Sequence, residues 1–431
     1  MKLHSNLSLN KKIAQLRKSK GISQASLAEA VGRSIMHISR IEREESACDE
    51  EMLTAIKSAL GIENAPLMEH ELEEYIDRLW IFNDYVHANN LHDAKKIQGT
   101  LSQIHELPFE RNLILLYLMV ETRLLFKEND LAAGEERLAT AEALLDGANP
   151  ESLHLYHRNI GFLLTCKQES KAALKHYLQC LNYETYHLKA DAGILYSIGA
   201  NYLNACKPWH ALIYFEQAKI KYDLGRAHPL MAQIDNGLAY AHMLVGEFGK
   251  AEQIYNEALA QAKRTNNPYE IGIAQAGISH FYHATGNHAK ALEVLNQAME
   301  LFKDHPHYNL LLPSKALLLL YMKDYARCKD ALEQCRALTQ VDENNAMIIE
   351  MTGHMLTIDK SESADYLMNI VIPHFRARNN TTIASLYQAL ACCDFIEAHY
   401  RKNRKIKKAN EIAVIGRDIF KEMYHGELDL D

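Results

Sequence analysis

The 431-residue chain is poor in proline, with nine in all, so little in it interrupts long helices. It has no CxxC pair: Cys48, Cys166, Cys180, Cys206, Cys328, Cys335, Cys392 and Cys393 are scattered through helical patterns. That scatter points to reduced, buried thiols in a cytoplasmic protein, not to a disulfide framework. Long hydrophobic runs are also missing. The longest, Leu113–Val120 and Ala316–Met322, are too short to span a bilayer. Met1–Lys12 is polar, which argues against a signal peptide. The HExxH, GxSxG and P-loop patterns are absent, and nothing else supports an enzyme or a cofactor. His280 and His283, at i and i+3, share a helix face suited to a metal. No third ligand stands at a helpful spacing, so groove lining is the better reading and no metal is expected.

What is present is globular: 48% hydrophobic and 24% charged residues, in a chain long enough for two or more units. The net charge of −8 is unevenly spread. Residues 1–43 carry nine Lys/Arg against Glu29 and Glu42, a net +7 that leaves −15 on the remainder. A basic head on an acidic body suits a small nucleic-acid module joined to a larger regulatory domain.

In residues 1–66 the apolar pattern breaks into four short helices. Gly21 ends the first and Ser23 caps the second, whose apolar face is Leu27, Ala28 and Val31. Gly32 makes a tight turn, and Ser34 caps a third helix that buries Ile38 and Ile41. The fourth, over Asp49–Leu60, turns Met52, Ile56 and Leu60 inward and stops at Gly61. The stretch SQASLAEAVGRSIMHISRIE, Ser23–Glu42, resembles the Xre/Cro/C1 helix-turn-helix family. The resemblance implies that the third helix enters the major groove. Ser34, Ile35, Met36 and Arg40 then face the groove, and His37 touches the backbone. Arg40 suits guanine, while Ile35 and Met36 suit thymine methyls. It further implies that Gln24 donates to phosphate and that Arg17 and Glu42 form an internal ion pair. Arg33, at a position usually apolar in the family, is expected to reach out to a phosphate. Glu44 and Glu45 follow the third helix where the family often has Gly and Pro; two acids would repel phosphate, so either that loop faces away from DNA or the domain binds weakly as a monomer.

The remainder, 67–431, is phased. Ala211, Ala251 and Ala291 stand 40 residues apart and open matching patterns: Ala211, Phe215, Ala218; Ala251, Tyr255, Ala258; Ala291, Leu295, Ala298. Twelve residues before each is another small residue: Gly199, Ala239 and Ser279. Small residues at such spacings let two antiparallel helices approach closely. Weaker copies at Ala94, Gly134, Ala173, Cys328, Ala364 and Ala409 extend the phase, with steps of 36 to 45 residues. The expectation is an all-α fold: a helix-turn-helix domain, then a right-handed α-solenoid of about nine helix pairs from near His70 to near Tyr424. Asn149-Pro150, His228-Pro229, Asn266-Asn267-Pro268 and His305-Pro306 mark turns between pairs.

The repeat resembles the tetratricopeptide repeat, best in LYSIGANYLNACKPWHALIYFEQA, Leu195–Ala218. A helix-turn-helix head on such an array is similar to the RRNPP family of quorum-sensing regulators. That resemblance implies a cytoplasmic receptor for a short, re-imported linear peptide. It also implies a homodimer built through the repeats and a palindromic double-stranded operator, with 1–66 reading DNA and 67–431 binding peptide and dimerising. The inward-facing offsets of the first helices map to Arg123, Arg158, Asn159, Tyr196, Asn204, Asn236, Tyr240, His280 and His283. Asparagine can pair both faces of a peptide amide, and family members use it so. Arginine can hold a carboxylate with two hydrogen bonds. Two rival readings stand beside this one: a repeat receptor that sequesters or inhibits a response regulator, and a ligand-free repressor whose repeats only assemble it. The basic run Arg401–Lys408 reads as a solvated helix face.

Overall fold

A computed structural model describes residues 3–167, 169–185, 188, 191–223, 230–305, 307–338, 343–359, 361–377 and 383–425. Among these residues all regular structure is helical. The turn signals at His228, Pro229 and Pro306 lie outside the described residues. The chain divides into two compact units, one of Met1–Leu163 with Leu178–Lys189 and the other of Leu164–Tyr177 with Ala190–Asp431.

The first unit opens with α1 (Leu9–Ser19), α2 (Gln24–Ala30), α3 (Ile35–Glu42) and α4 (Glu50–Ala59). Each begins where a short polar side chain satisfies an otherwise orphaned N–H: Ser8, Ser23, Ser34 and Asp49 accept from Lys11, Ser26, His37 and Met52. Gly21 and Gly32, at φ 67° and 64°, turn the chain sharply after α1 and α2. Ile13, Leu16, Leu27, Ala28, Ile38, Ile41 and Ile56 are all but fully buried, as the periodicity requires. Val31 is only half-buried.

The chain leaves these helices through Ala65, Pro66 and Leu67, which are themselves buried. Next come α5 (Glu69–His87), α6 (Leu91–Leu101), a 3-10 turn at Ser102–Glu106, α7 (Arg111–Lys127), α8 (Leu131–Glu142) and α9 (Pro150–Cys166). One apolar core runs from Ile13 through Leu67 and Leu107 to Leu163. The run Leu113–Val120 lies inside α7, buried on every side. Within α10 (Ser170–Leu181) the chain passes between the two units.

The second unit holds α11 (Ala192–Asn204), α12 (Pro208–Asp223), α13 (Met231–Leu244), α14 (Phe248–Thr265), α15 (Pro268–Ala284) and α16 (His288–Leu301). It continues with α17 (His307–Tyr321), α18 (Tyr325–Arg336), α19 (Glu343–Leu356), α20 (Ser361–Tyr366), a π-helical turn at Leu367–Val371, α21 (Ile372–Arg376), α22 (Ile383–Lys402) and α23 (Ile406–His425). The π turn sits where the sequence phase slips.

Among the described residues the helices from α5 onward form nine pairs. Ala94, Gly134, Ala173, Ala211, Ala251, Ala291, Cys328, Ala364 and Ala409 all fall on second helices and all are buried. The closeness they permit is visible at Phe215, whose ring lies against Gly199 and Gly237. A Cβ on either glycine would come within 2.8 Å or 2.7 Å of it.

The turns inside the pairs carry a second repeat that the side-chain pattern hides. Asn89, Asn129, Cys206, Gly246, Gly286, Lys323 and Arg404 all adopt positive φ. The residue after each donates to a carbonyl of the helix just ended, as Asn287 N–H does to Tyr282 at 2.8 Å and Lys405 N–H to Tyr400 at 2.8 Å. This is a left-handed helix stop reused in pair after pair.

Candidate DNA-reading and peptide-binding surfaces

The cap at Ser34 holds the start of α3 at the surface. Ile35 is 53% and Met36 64% exposed, the most exposed large apolar side chains of the head. Arg33, Ser34 and Arg40 are exposed beside them, and His37 is partly so. Six of the seven residues expected at DNA therefore share one displayed surface.

Gln24 behaves differently. It was expected to donate to phosphate, yet its Nε2 donates to Glu42 at 2.7 Å. That carboxylate also receives Arg17 through Nε at 2.5 Å and Nη2 at 2.9 Å, the internal pair the family resemblance implies. Burial alone would raise the Glu42 carboxyl, but the hydrogen bonds from Arg17 and Gln24 outweigh it and hold it below the usual carboxylate range. Arg17 is raised in turn by its bond to Glu42. Gln24 thus serves the link between α1, α2 and α3. Glu44 is tied back to Ser8 and to Lys11, at 3.7 Å from the latter, so part of the acidic charge behind α3 is spent inside the head.

The basic count also needs correction. Lys12 is 3% exposed and paired with Glu110 at 3.0 Å, Arg17 is paired with Glu42, and Lys20 with Glu106 at 2.6 Å. The cations left to meet a polyanion are fewer than the sequence suggests.

The expected peptide contacts divide by unit. In the first, Asn159 is 1% exposed, and its Nδ2 donates to the Met119 carbonyl of α7 at 2.8 Å. Arg123 is buried on the same helix, and Arg158 is half-buried on α9. Asn159 was expected to meet peptide; here its amide braces α9 against α7.

In the second unit, Tyr196, Asn204, Asn236 and Tyr240 are half-buried and His280 is exposed. Asn236 donates from Nδ2 to the Ile273 carbonyl at 2.8 Å, bridging α13 to α15. Gly277 makes room for it, since a Cβ there would fall 2.6 Å from Asn236 Oδ1. Tyr240 and His280 meet edge-to-face at 5.1 Å, so equivalent offsets of α13 and α15 are neighbours. His283 lies 5.1 Å from the Tyr321 ring, its Nδ1 3.2 Å from His288 Nδ1. Burial, with His280 and His288 alongside, pushes His283 down to about 4. Burial likewise lowers His280 and raises Tyr196 to about 12. Asn204 ends α11 with its side chain free of hydrogen bonds among the described residues.

Sequence reasoning missed Asn201, which is fully buried and donates to the Ser197 carbonyl at 2.8 Å and to Thr165 Oγ1 at 3.2 Å. Its place one step from Asn204 on an apolar helix face was the available signal. It also took all the cysteines as buried, whereas Cys166 is exposed and Cys48 half-exposed. No cluster of three or more His, Cys, Asp or Glu suited to a metal occurs among the described residues. No described helix is long and apolar enough to cross a membrane.

Comparison with known proteins agrees with this geometry. The helix-turn-helix family matches residues 13–63, and the tetratricopeptide repeat family matches 230–304. The transcriptional activator NprA of Geobacillus stearothermophilus is 20% identical, over 90% of this chain and 98% of its own length. Two solved structures share the backbone fold. NprR in complex with its cognate peptide NprX is 15% identical and aligns over 82% of this chain and 99% of its own, with TM-score 0.63. A Rap protein complexed with competence and sporulation factor is also 15% identical and aligns over 82% and 100%, with TM-score 0.66. The chain thus carries a helix-turn-helix head followed by tetratricopeptide-like helix pairs.

Proposed function

We propose that this chain is a cytoplasmic transcriptional regulator, reading operator DNA through α3 and switched by a short, imported signalling peptide bound by its repeats. The carrying observation is the surface at the start of α3, where Ile35 and Met36 stand exposed between Arg33 and Arg40. Apolar side chains this exposed on a small domain mark a contact surface, and flanking arginines suit it to phosphate and guanine. In this reading residues 1–66 bind DNA, while 67–431 bind peptide and join two copies on a palindromic site. Tyr196, Asn204, Tyr240 and His280, all in the second unit, are the candidates best displayed for peptide; Asn236 braces α13 to α15 beside them. NprR's crystallised complex with NprX and the curated activator NprA support the reading by likeness.

The test is binding of the full-length protein to its own upstream DNA, with and without synthetic peptides from any adjacent short reading frame. Specific binding shifted by one peptide is the expected result. Specific binding unmoved by every peptide favours the ligand-free repressor. Absence of specific binding at low salt favours the response-regulator receptor.

A further inference from the structure

The junction between the head and the first repeats is built like a protein interior. The Lys12 ammonium of α1, 3% exposed, lies 3.0 Å from Glu110 Oε1 and donates to the Leu67 carbonyl at 3.1 Å. The Glu110 carboxylate, 1% exposed, also accepts from Ser5 N–H at 2.7 Å and Ser5 Oγ at 2.9 Å. The Phe109 ring lies 5.8 Å from the ammonium. Two further contacts join the same faces: Lys20 with Glu106, and Asn64 N–H donating to Gln103 Oε1 at 2.8 Å.

A buried ion pair is a weak source of stability, because desolvating both charges offsets their attraction. What it supplies is geometry. An ammonium and a carboxylate taken out of water tolerate only the arrangement that satisfies both, so sliding or tilting the head would strand two charges in an apolar setting. Glu110 is also the residue from which α7 starts, its carbonyl accepting from Ile114 N–H at 2.9 Å. The helix it starts carries Met119, gripped by Asn159, and Arg123.

We infer that Lys12 and Glu110 are positioning residues that fix the DNA-reading head on the start of α7, so that the first repeats and not a flexible linker set the reader's orientation. The DNA-reading part rests on the function proposed above; the fixing of the head does not. A change in how α9 grips α7 is then felt at α1 through one rigid helix, which is the physical requirement for coupling a repeat-bound ligand to the head.

The test removes the charges and keeps the bulk, with Lys12→Met and Glu110→Leu together in the full chain. Hydrogen exchange over residues 8–19 and 63–68 is expected to speed up at least tenfold, with α13 to α16 unchanged. Exchange as slow as wild type overturns the clamp. Ser5→Ala is the milder companion, expected to raise exchange in the same segments a few-fold if the double variant does not fold; no change there overturns the clamp as well. Selection from a random-sequence duplex library supplies the readout that a merely structural role would not move. Wild type and the double variant should enrich the same half-site, with paired copies at one spacing for wild type and scattered spacings for the variant. A variant spacing as narrow as wild type overturns the positioning role. Enrichment of no sequence by wild type removes the DNA reading, and exchange alone then decides whether the head is fixed.

Discussion

The head and the repeats spend their polar side chains differently. In the head, structural and displayed groups are kept apart, on α3 by lying on opposite faces of one short helix. Arg17, Gln24 and Glu42 are knotted together inside, while Ile35, Met36 and Arg40 stand outside with no such ties. In the repeats the two roles share one helix face. Asn159 and Asn236 lie at the inward offsets expected for peptide contact, yet each donates to a backbone carbonyl of an adjacent pair. Asn204, at a similar offset, keeps its amide free among the described residues. A repeat phase therefore says which face a residue occupies. Whether its hydrogen-bonding capacity is already used depends on the neighbouring pair.

The largest expected effect breaks the head's inner knot. Glu42→Ala leaves the Arg17 guanidinium without its carboxylate in a mostly buried place and should cost about 3 kcal/mol, measured as an earlier denaturation midpoint. The same group gives a pH test with a definite sign. Glu42 is lowered in the fold, so its contribution is present above the ordinary value of 4.5 and is lost as pH falls through the lower folded value. Stability of the wild type should drop on acidification in that window, and Glu42→Ala should flatten that part of the profile.

On the outer face the balance reverses. Arg40→Ala should leave the unfolding midpoint unchanged and weaken binding to a selected DNA site by about 1–3 kcal/mol, roughly 5- to 150-fold. An equal loss of stability would place Arg40 with the inner group.

The asparagines sharpen the contrast within the repeats. Asn159→Ala should destabilise by about 1–2 kcal/mol, because it removes the hydrogen bonds of its side chain to Met119 on α7 and leaves a gap in a buried place. Asn204→Ala should change stability by under about 0.5 kcal/mol and show itself in peptide affinity. Equal stabilities for the two variants would erase the distinction drawn here.

The smallest effect concerns the turns. Arg404 holds φ 55° with a full side chain, where glycine pays no steric penalty. Arg404→Gly should stabilise by about 1 kcal/mol or less, read as a higher melting temperature. Gly246→Ala, at φ 84°, should move in the opposite direction.

Much of the fold was legible in the chain. The caps at Ser23 and Ser34, the stops at Gly21, Gly32 and Gly61, and the small residues of nine second helices all act locally or at fixed spacing. Such signals survive in one dimension because helix geometry repeats every few residues. The displayed face of α3 was legible for the same reason. The fates of Gln24 and Asn159 were not, since each depends on a partner carried by another helix.

By itself, then, the amino-acid order determined the helices, their pairing and the register of α3, all of which follow from backbone periodicity and capping chemistry. Tertiary structure alone decided which charges and amides remained available. Ser5 and Glu110 are 105 positions apart in sequence, and no local pattern links them or marks Lys12 as buried. Only when α1 packs beside the start of α7 does water leave that site, and with it the choice of partner becomes fixed, because a charge out of water must be paired where it lies.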